Sequence, residues 1–201
     1  MRLGIYGGSF DPVHYGHLLL AESCREQASL DEVWLLPAAA SPHKQGHATA
    51  SAKDRVEMLR LAVAGHPALV VSTIEVERGG VSYTVETLRA VHAARPDDEL
   101  FLLMGADTLA DLPKWREPGE VLRLAIPVAV ERHGAPPPDY QAIAGFVTPG
   151  RLHAIREQRV EMPVIELSAT DIRERVRAGC SIRFRTPRGV EKYIETQGLY
   201  R

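Results

Sequence analysis

The sequence predicts an α/β protein: a doubly wound, mostly parallel sheet with helices on both faces. Three observations carry that prediction. Short apolar runs alternate with stretches of helical periodicity along the whole chain. Several runs are apolar on both faces, as strands are when helices cover the sheet from either side. A glycine-rich turn, Gly7-Gly8-Ser9, joins the first strand to the first helix, where such folds hold phosphates.

The elements follow in order. Residues 2–6 read as a short buried strand, and Leu18-Leu19-Leu20-Ala21-Glu22-Ser23-Cys24 as the first helix. Glu32–Leu36 is the second strand. A helix begins at Ser51, with Asp54 three residues on as in a capping box, and carries Val56, Leu59 and Val63 on one face. Leu69–Ser72 is a strand; a helix starts near Thr84 with Val85, Leu88 and Val91 on its stripe. Glu99–Met104, Ile126–Val130 and Pro163–Glu166 complete the strands, with a short helix at Thr108–Leu112 after the first of them. The last helices cover Thr170–Ala178, stopped by Gly179, and Arg188–Thr196. Three segments read as irregular. Residues 37–50 and 113–119 follow a strand or the turn after one, where open α/β sheets seat substrates; residues 134–150, with three successive prolines, read as a surface connection.

A chain of 201 residues suits one domain spanning 1–201, with the C-terminal helices from about 168 packed on it. With 24 basic against 26 acidic residues it has no electrostatic footprint for nucleic acid or an anionic membrane. No charged segment and long apolar run precede the first strand, and no run reaches about 18 apolar residues. Neither secretion nor a membrane span is expected, and a cytoplasmic address is. Cys24 lies on the apolar stripe of its helix and reads as a small core residue; with only Cys180 besides, a disulfide framework or cysteine zinc site is not expected. The oligomeric state is left open, a homo-oligomer included.

The chemistry concentrates in Gly7-Gly8-Ser9-Phe10-Asp11-Pro12-Val13-His14-Tyr15-Gly16-His17. The dinucleotide fingerprint and the P-loop pattern are both absent, which disfavours a dehydrogenase and a P-loop ATPase. Instead two histidines three apart put their rings on one side of a helix start. Gly16 removes a side chain and lets a ligand approach the backbone, and Asp11 before Pro12 fixes the turn. Imidazoles added to a phosphate turn suit a reaction in which charge builds up on phosphate. Zinc is the alternative, but only two ligands are local, so no metal site is expected; a structural pair of surface histidines is the other.

A second cluster is Leu167-Ser168-Ala169-Thr170-Asp171-Ile172-Arg173. Ser168 and Thr170 are helix-start residues that also offer hydroxyls, and Arg173 places a cation at the positive end of a helix, which suggests an accompanying anion. An ordinary cap with a solvated arginine is the alternative.

These residues resemble the nucleotidylyl transferases with an H-x-G-H loop, and within them the bacterial nicotinate-nucleotide adenylyltransferase family. His14-Tyr15-Gly16-His17 matches the superfamily motif, and Ser168–Arg173 resembles its Ser-Ser-Thr-x-Ile-Arg signature with Ala169 in place of the second serine. Four further segments carry the narrower resemblance: Pro42-His43-Lys44, Ser82-Tyr83-Thr84, Gly105 to Trp115, and the tail from Val190 to Tyr200. Together they cover essentially the whole chain.

The resemblance implies a Rossmann-like nucleotidylyl transferase fold. It implies adenylyl transfer from ATP to nicotinate mononucleotide, in NAD biosynthesis, with magnesium carried on the ATP phosphates. His14, His17 and Arg173 then carry catalysis. Gly7, Gly8, Ser9, Phe10, Ser168 and Thr170 join them in binding ATP, with Gly105 and with Asp107 near a ribose hydroxyl; a cap of the short helix at Thr108–Leu112 is the alternative for Asp107, compatible with that role. Lys44 meets the acceptor's phosphate; Tyr83 and Thr84 its carboxylate; Trp115 stacks on its ring. Lys44 as a solvated loop lysine and Trp115 as a cover for the core edge stay open. Arg132-His133-Gly134 resembles a family segment without an assigned role. Pantetheine-phosphate adenylyltransferase is the nearest rival activity, and a non-catalytic nucleotide-binding module a more distant one.

Overall fold

The computed structural model of the protein describes residues 1–40, 50–132 and 136–201, with Arg132 described only in its backbone. The strands are β1 (Arg2–Gly8), β2 (Glu32–Pro37), β3 (Leu69–Val71), β4 (Glu99–Gly105), β5 (Ala125–Arg132) and β6 (Arg159–Met162). They form one sheet in the order β3-β2-β1-β4-β5-β6, an arrangement of the doubly wound class that the alternation of elements predicts. The ladders of β1 with β4, β4 with β5 and β5 with β6 are parallel; Ile5 lies beside Leu102, and Leu103 beside Val128. Because β1 and β4 point the same way, their carboxyl ends share one edge of the sheet. In an open α/β sheet, that edge at the reversal of strand order is where ligands sit.

Nine α-helices are described: α1 (Tyr15–Gln27), α2 (Ala52–Val63), α3 (Ile74–Arg78), α4 (Thr84–Ala94), α5 (Ala106–Asp111), α6 (Pro118–Leu124), α7 (Pro149–Arg156), α8 (Ala169–Arg177) and α9 (Arg188–Gln197). The chain falls into two compact units. The first comprises Met1–Tyr6, Leu20–Trp34 and Tyr83–Val164. Its core is the apolar interior of the central strands, Leu3, Ile5, Phe101, Leu103, Val128 and Val130, all buried. Gly4 is in that core because a Cβ there would meet Leu30 at 2.9 Å and Val33 at 3.0 Å. Cys24 is buried as expected, and burial pushes its thiol up to about 12, which removes it from thiolate chemistry.

The second unit comprises Gly7–Leu19, Leu35–Ser82 and Ile165–Arg201. Its core pairs α2 with α9: Val56, Leu59 and Val63, the stripe read from sequence, are buried, as are Val190 and Ile194. Ser51 caps α2 by accepting from the Asp54 amide at 3.1 Å, the capping start that the sequence shows.

Three readings are corrected. The last strand is Arg159–Met162, not Pro163–Glu166. It alternates exposed Arg159 and Glu161 with buried Val160 and Met162, the pattern of a strand at the end of the sheet order with one face covered. The more continuous apolar run after it begins with a proline, which offers no ladder donor, and is not a strand. Residues 134–150 are more than a connection: a 3-10 helix runs over Tyr140–Phe146 behind Asp139, buries Ile143, and is followed by the Thr148 cap of α7. Residues 113–119 likewise hold the end of a 3-10 turn, Leu112–Lys114, and the start of α6. In both stretches proline stands at a helix start, where its missing N–H costs nothing, and not as a breaker.

Candidate active site

The second unit builds the histidine loop from close packing. A Cβ on Gly8 would lie 3.0 Å from the Phe10 ring, so a larger residue there would have to push that buried ring aside. Phe10 is buried with a left-handed backbone (φ 48°), and the Asp11–Pro12 peptide is cis. Gly8 accepts from the Ala38 amide at 2.9 Å, and Val13 accepts from the buried Thr186 hydroxyl at 2.7 Å. The loop is thus tied through its carbonyls to distant parts of the same unit.

His14 sits just before α1, and its carbonyl accepts from the amides of His17 and Leu18. Its own amide donates to His17 Nδ1 at 3.2 Å. Nδ1 of His17 is therefore an acceptor and unprotonated, so the neutral ring carries its proton on Nε2 as a fixed donor. The two imidazoles stack with centroids 3.7 Å apart and planes at 26°, and the edge of Phe10 stands 5.1 Å from His17. Gly16 explains the spacing of the motif. A Cβ there would lie 3.0 Å from His14 Nδ1 and 3.1 Å from Ile165, so any larger residue would crowd the ring that folds over the first turn. That turn carries no acidic residue, which leaves the positive end of α1 uncompensated by an acidic side chain of its own.

The second cluster joins the loop. Ser168 caps α8, its hydroxyl accepting from the Asp171 amide at 3.0 Å, as the sequence indicates. Arg173 is the fifth residue of α8, which begins at Ala169, one residue earlier than read, and its side chain doubles back. One guanidinium nitrogen donates to the Asp11 carbonyl at 2.8 Å and another to the Thr170 hydroxyl at 3.1 Å, while the buried Nε has no partner among the described residues. Two imidazoles and a guanidinium therefore converge on one turn of backbone from segments about 160 residues apart.

The first unit carries the other expected contacts. Tyr83 is the N-cap residue of α4 and Thr84 its first residue, with no side chain capping that end. Arg116 lies over the Tyr83 ring, 4.8 Å from its centroid, and pairs with Glu86 at 2.7 Å. Trp115 ends the 3-10 turn half-buried. Asp107 is exposed in the first turn of α5 but does not cap it: Gly105 is the N-cap, and no side chain bonds there. The glycine makes room for Asp107 instead, since a Cβ at Gly105 would meet the carboxylate at 2.6 Å. Lys44 lies outside the described residues, as do His133 and Gly134 and the side chain of Arg132.

Comparison with known proteins decides the family. The cytidylyltransferase-like family model matches residues 5–175, a span that includes the histidine loop and Arg173. The "probable nicotinate-nucleotide adenylyltransferase" of Rhodopirellula baltica is 44% identical over 199 residues, covering 99% of this chain and 93% of that one. That of Roseiflexus sp. is 46% identical over 201 residues, covering 99% and 98%. The chain belongs to the nicotinate-nucleotide adenylyltransferase family. Among solved structures, Plasmodium falciparum nicotinic acid mononucleotide adenylyltransferase complexed with NaAD matches with a TM-score of 0.74 at 16% identity, over 99% of this chain and 97% of that chain. At that identity the likeness speaks to the fold, and it is the fold this adenylyltransferase family sequence predicts.

Two members of the loop's surroundings escaped the sequence reading. Arg55 is 3% exposed and donates to the Ser9 carbonyl at 2.9 Å. Tyr200 is 6% exposed and donates to Asp11 at 2.6 Å. The signal for Arg55 was its spacing: it precedes Met58 and Leu59 by three and four residues, on the buried stripe of α2, where a lone cation needs a reason.

Proposed function

We propose that the chain transfers the adenylyl group of ATP to nicotinate mononucleotide, giving nicotinate adenine dinucleotide and pyrophosphate. The relatives' names point to this acceptor, and the observation that carries the chemistry is the convergence of His14, His17 and Arg173 on one turn. A phosphate oxygen of the mononucleotide attacks the α-phosphorus of ATP, the bond from that phosphorus to the bridging oxygen breaks, and pyrophosphate leaves. The nucleophile is already an anion, so no protein nucleophile or strong base is required. What the protein supplies is position and donors for the charge on the α-phosphate and the leaving group. His17 serves through its fixed Nε2–H, His14 through the ring stacked on it, and Arg173 through the remaining N–H groups of the two terminal nitrogens that hold Asp11 and Thr170.

Gly7, Gly8, Ser9 and Phe10 line the triphosphate, and Ser168 and Thr170 add hydroxyls. Gly105 and Asp107 meet the ribose. Trp115 stacks on the pyridine ring, Tyr83 and Thr84 take its carboxylate at the uncapped start of α4, and Lys44 takes the acceptor's phosphate. Imidazoles and guanidinium suit phosphate oxygens and not a magnesium ion, so magnesium enters as part of the substrate, on the ATP phosphates. Among the described residues no group of three or more acidic, histidine or cysteine side chains could hold a metal. No described helix is long and apolar enough to cross a membrane. We assign both units to one catalytic domain. The test is an acceptor screen with magnesium and ATP that reads out pyrophosphate. Nicotinate mononucleotide is the expected best acceptor; release with pantetheine phosphate alone, or with none, overturns the reading.

A further inference from the structure

Asp11, Arg55 and Tyr200 are buried around the histidine loop, and adenylyl transfer leaves their side chains without a role. Two loop carbonyls, Ser9 and Asp11, are each held by a guanidinium: Arg55 on the first at 2.9 Å, Arg173 on the second at 2.8 Å. This suits a phosphate turn, because a carbonyl oxygen facing a triphosphate repels it, whereas a guanidinium on that carbonyl fixes it and lends positive potential. The difficulty is the Asp11 carboxylate. It is 4% exposed, attached to the same residue whose carbonyl anchors Arg173, and a buried carboxylate attracts any guanidinium in reach. An Arg173 drawn onto it would lose its donors for phosphate. Tyr200, the penultimate residue, meets this difficulty: its hydroxyl donates to Asp11 Oδ1 at 2.6 Å, a length typical of a charge-assisted bond.

We propose that Tyr200 is a positioning residue for the triphosphate: by holding the Asp11 carboxylate it keeps Arg173 on the Asp11 carbonyl and the Thr170 hydroxyl, with donors left for phosphate. Burial, and then the bond to Asp11, raises the Tyr200 phenol far above its ordinary value, so the hydroxyl remains a donor wherever the protein is folded. Arg55 completes the arrangement from the other side. Burial lowers its basicity, and the nearby Asp11 charge opposes that effect. The C-terminal residues thereby act on the reaction from outside the reacting groups.

The structure supplies a control. Tyr193 makes the same kind of bond, hydroxyl to Asp54 Oδ1 at 2.9 Å, between α9 and α2 and not on the loop. Tyr200→Phe and Tyr193→Phe are compared by calorimetry for affinity toward a non-hydrolysable α,β-methylene ATP and toward adenosine, which has no phosphate. Tyr200→Phe is expected to weaken the triphosphate analogue about tenfold and leave adenosine within about twofold; Tyr193→Phe is expected to change neither. Adding Asp11→Asn to Tyr200→Phe replaces the carboxylate by a neutral amide and is expected to recover part of the lost affinity. Unchanged analogue affinity in Tyr200→Phe, an equal loss toward adenosine, or no recovery in the double variant overturns the proposal. It rests on the adenylyl-transfer reading for the identity of the triphosphate only. Pyrophosphate release by the unmodified protein is measured alongside; its absence strikes that reading, while the affinities, which need no turnover, still decide this one.

Discussion

The histidine loop and the Tyr83–Trp115 region are built on different physical terms. In the loop, the polar groups that matter are buried or half-buried and cross-linked over long sequence distances: His14 is only 7% exposed, His17 and Arg173 are half-buried, and bonds from Arg55, Arg173, Thr186 and Tyr200 all end on residues 9–13. In the other region the charges are held by exposed pairs, Arg116 with Glu86, Arg89 with Glu117 and Lys114 with Asp111. Such pairs contribute about 0–1 kcal/mol each and rearrange easily. Groups that must meet developing charge are worth most when fixed in advance. Groups that accept a ring and its substituent can adjust to it. Changes in the loop should therefore appear in kcat, and changes around Trp115 in the KM of the acceptor.

The largest effect that sharpens this contrast is His17→Ala. It should lower kcat by about a hundredfold or more, the scale of losing one preorganised donor, in a protein that remains folded. Near-normal kcat at saturating ATP would remove His17 from the reaction. Arg173→Ala should follow, at about tenfold to a hundredfold. Arg173→Lys should recover part of this only, because one ammonium cannot span the Asp11 carbonyl and the Thr170 hydroxyl as the planar fork does. Equal activity in all three proteins would reduce Arg173 to a surface residue.

Acceptor choice tests the other side. An uncapped helix start at Tyr83 and Thr84 favours a carboxylate over an amide. Nicotinate mononucleotide should exceed nicotinamide mononucleotide by at least about tenfold in kcat/KM, roughly 1.4 kcal/mol of differential transition-state binding. Equal use of the two would break the pocket assignment and leave adenylyl transfer untouched. The smallest effect is on stability alone. The Ser51 hydroxyl, then that of Tyr193, holds the Asp54 carboxyl below its ordinary value. A lowered folded-state value means stability that is present above the unfolded-state value and is lost as pH falls through the folded one. Asp54→Asn should thus flatten the fall of Tm in acid while leaving kcat at neutral pH unchanged; a Tm profile parallel to that of the unmodified protein would contradict it.

The same contrast explains what could be read from the residues alone. The doubly wound parallel class and the α2 and α4 stripes were legible because periodicity and double-faced apolar runs are local signals, and Val56, Leu59, Val85 and Leu88 lie buried where they should; the order of the strands is set by non-local pairing and came only with the structure. Gly16 between two histidines was legible as a close approach, although what approaches it in the structure is the His14 ring. Arg55 and Tyr200 were not legible as members of the site. Their partners lie 46 and 189 residues away, and nothing in a helix stripe or a C-terminal tail reveals a carbonyl or carboxylate brought there by the fold. β6 was missed for the opposite reason: Arg159 and Glu161 look too polar for a strand until its place at the end of the sheet order is known. The alternative reading of Asp107, as a cap of the short helix, fails because Gly105 takes that position.

One experiment sets the two regions against each other. Full two-substrate kinetics are measured for His17→Ala and Trp115→Ala, with pyrophosphate and dinucleotide quantified together. His17→Ala should lose about a hundredfold or more in kcat with the mononucleotide KM within about threefold of normal. Trp115→Ala should raise the mononucleotide KM about fivefold to twentyfold with kcat within about threefold, because a stacking face is lost and no donor to the phosphates. Loss of kcat in Trp115→Ala with His17→Ala affecting only KM would contradict the account.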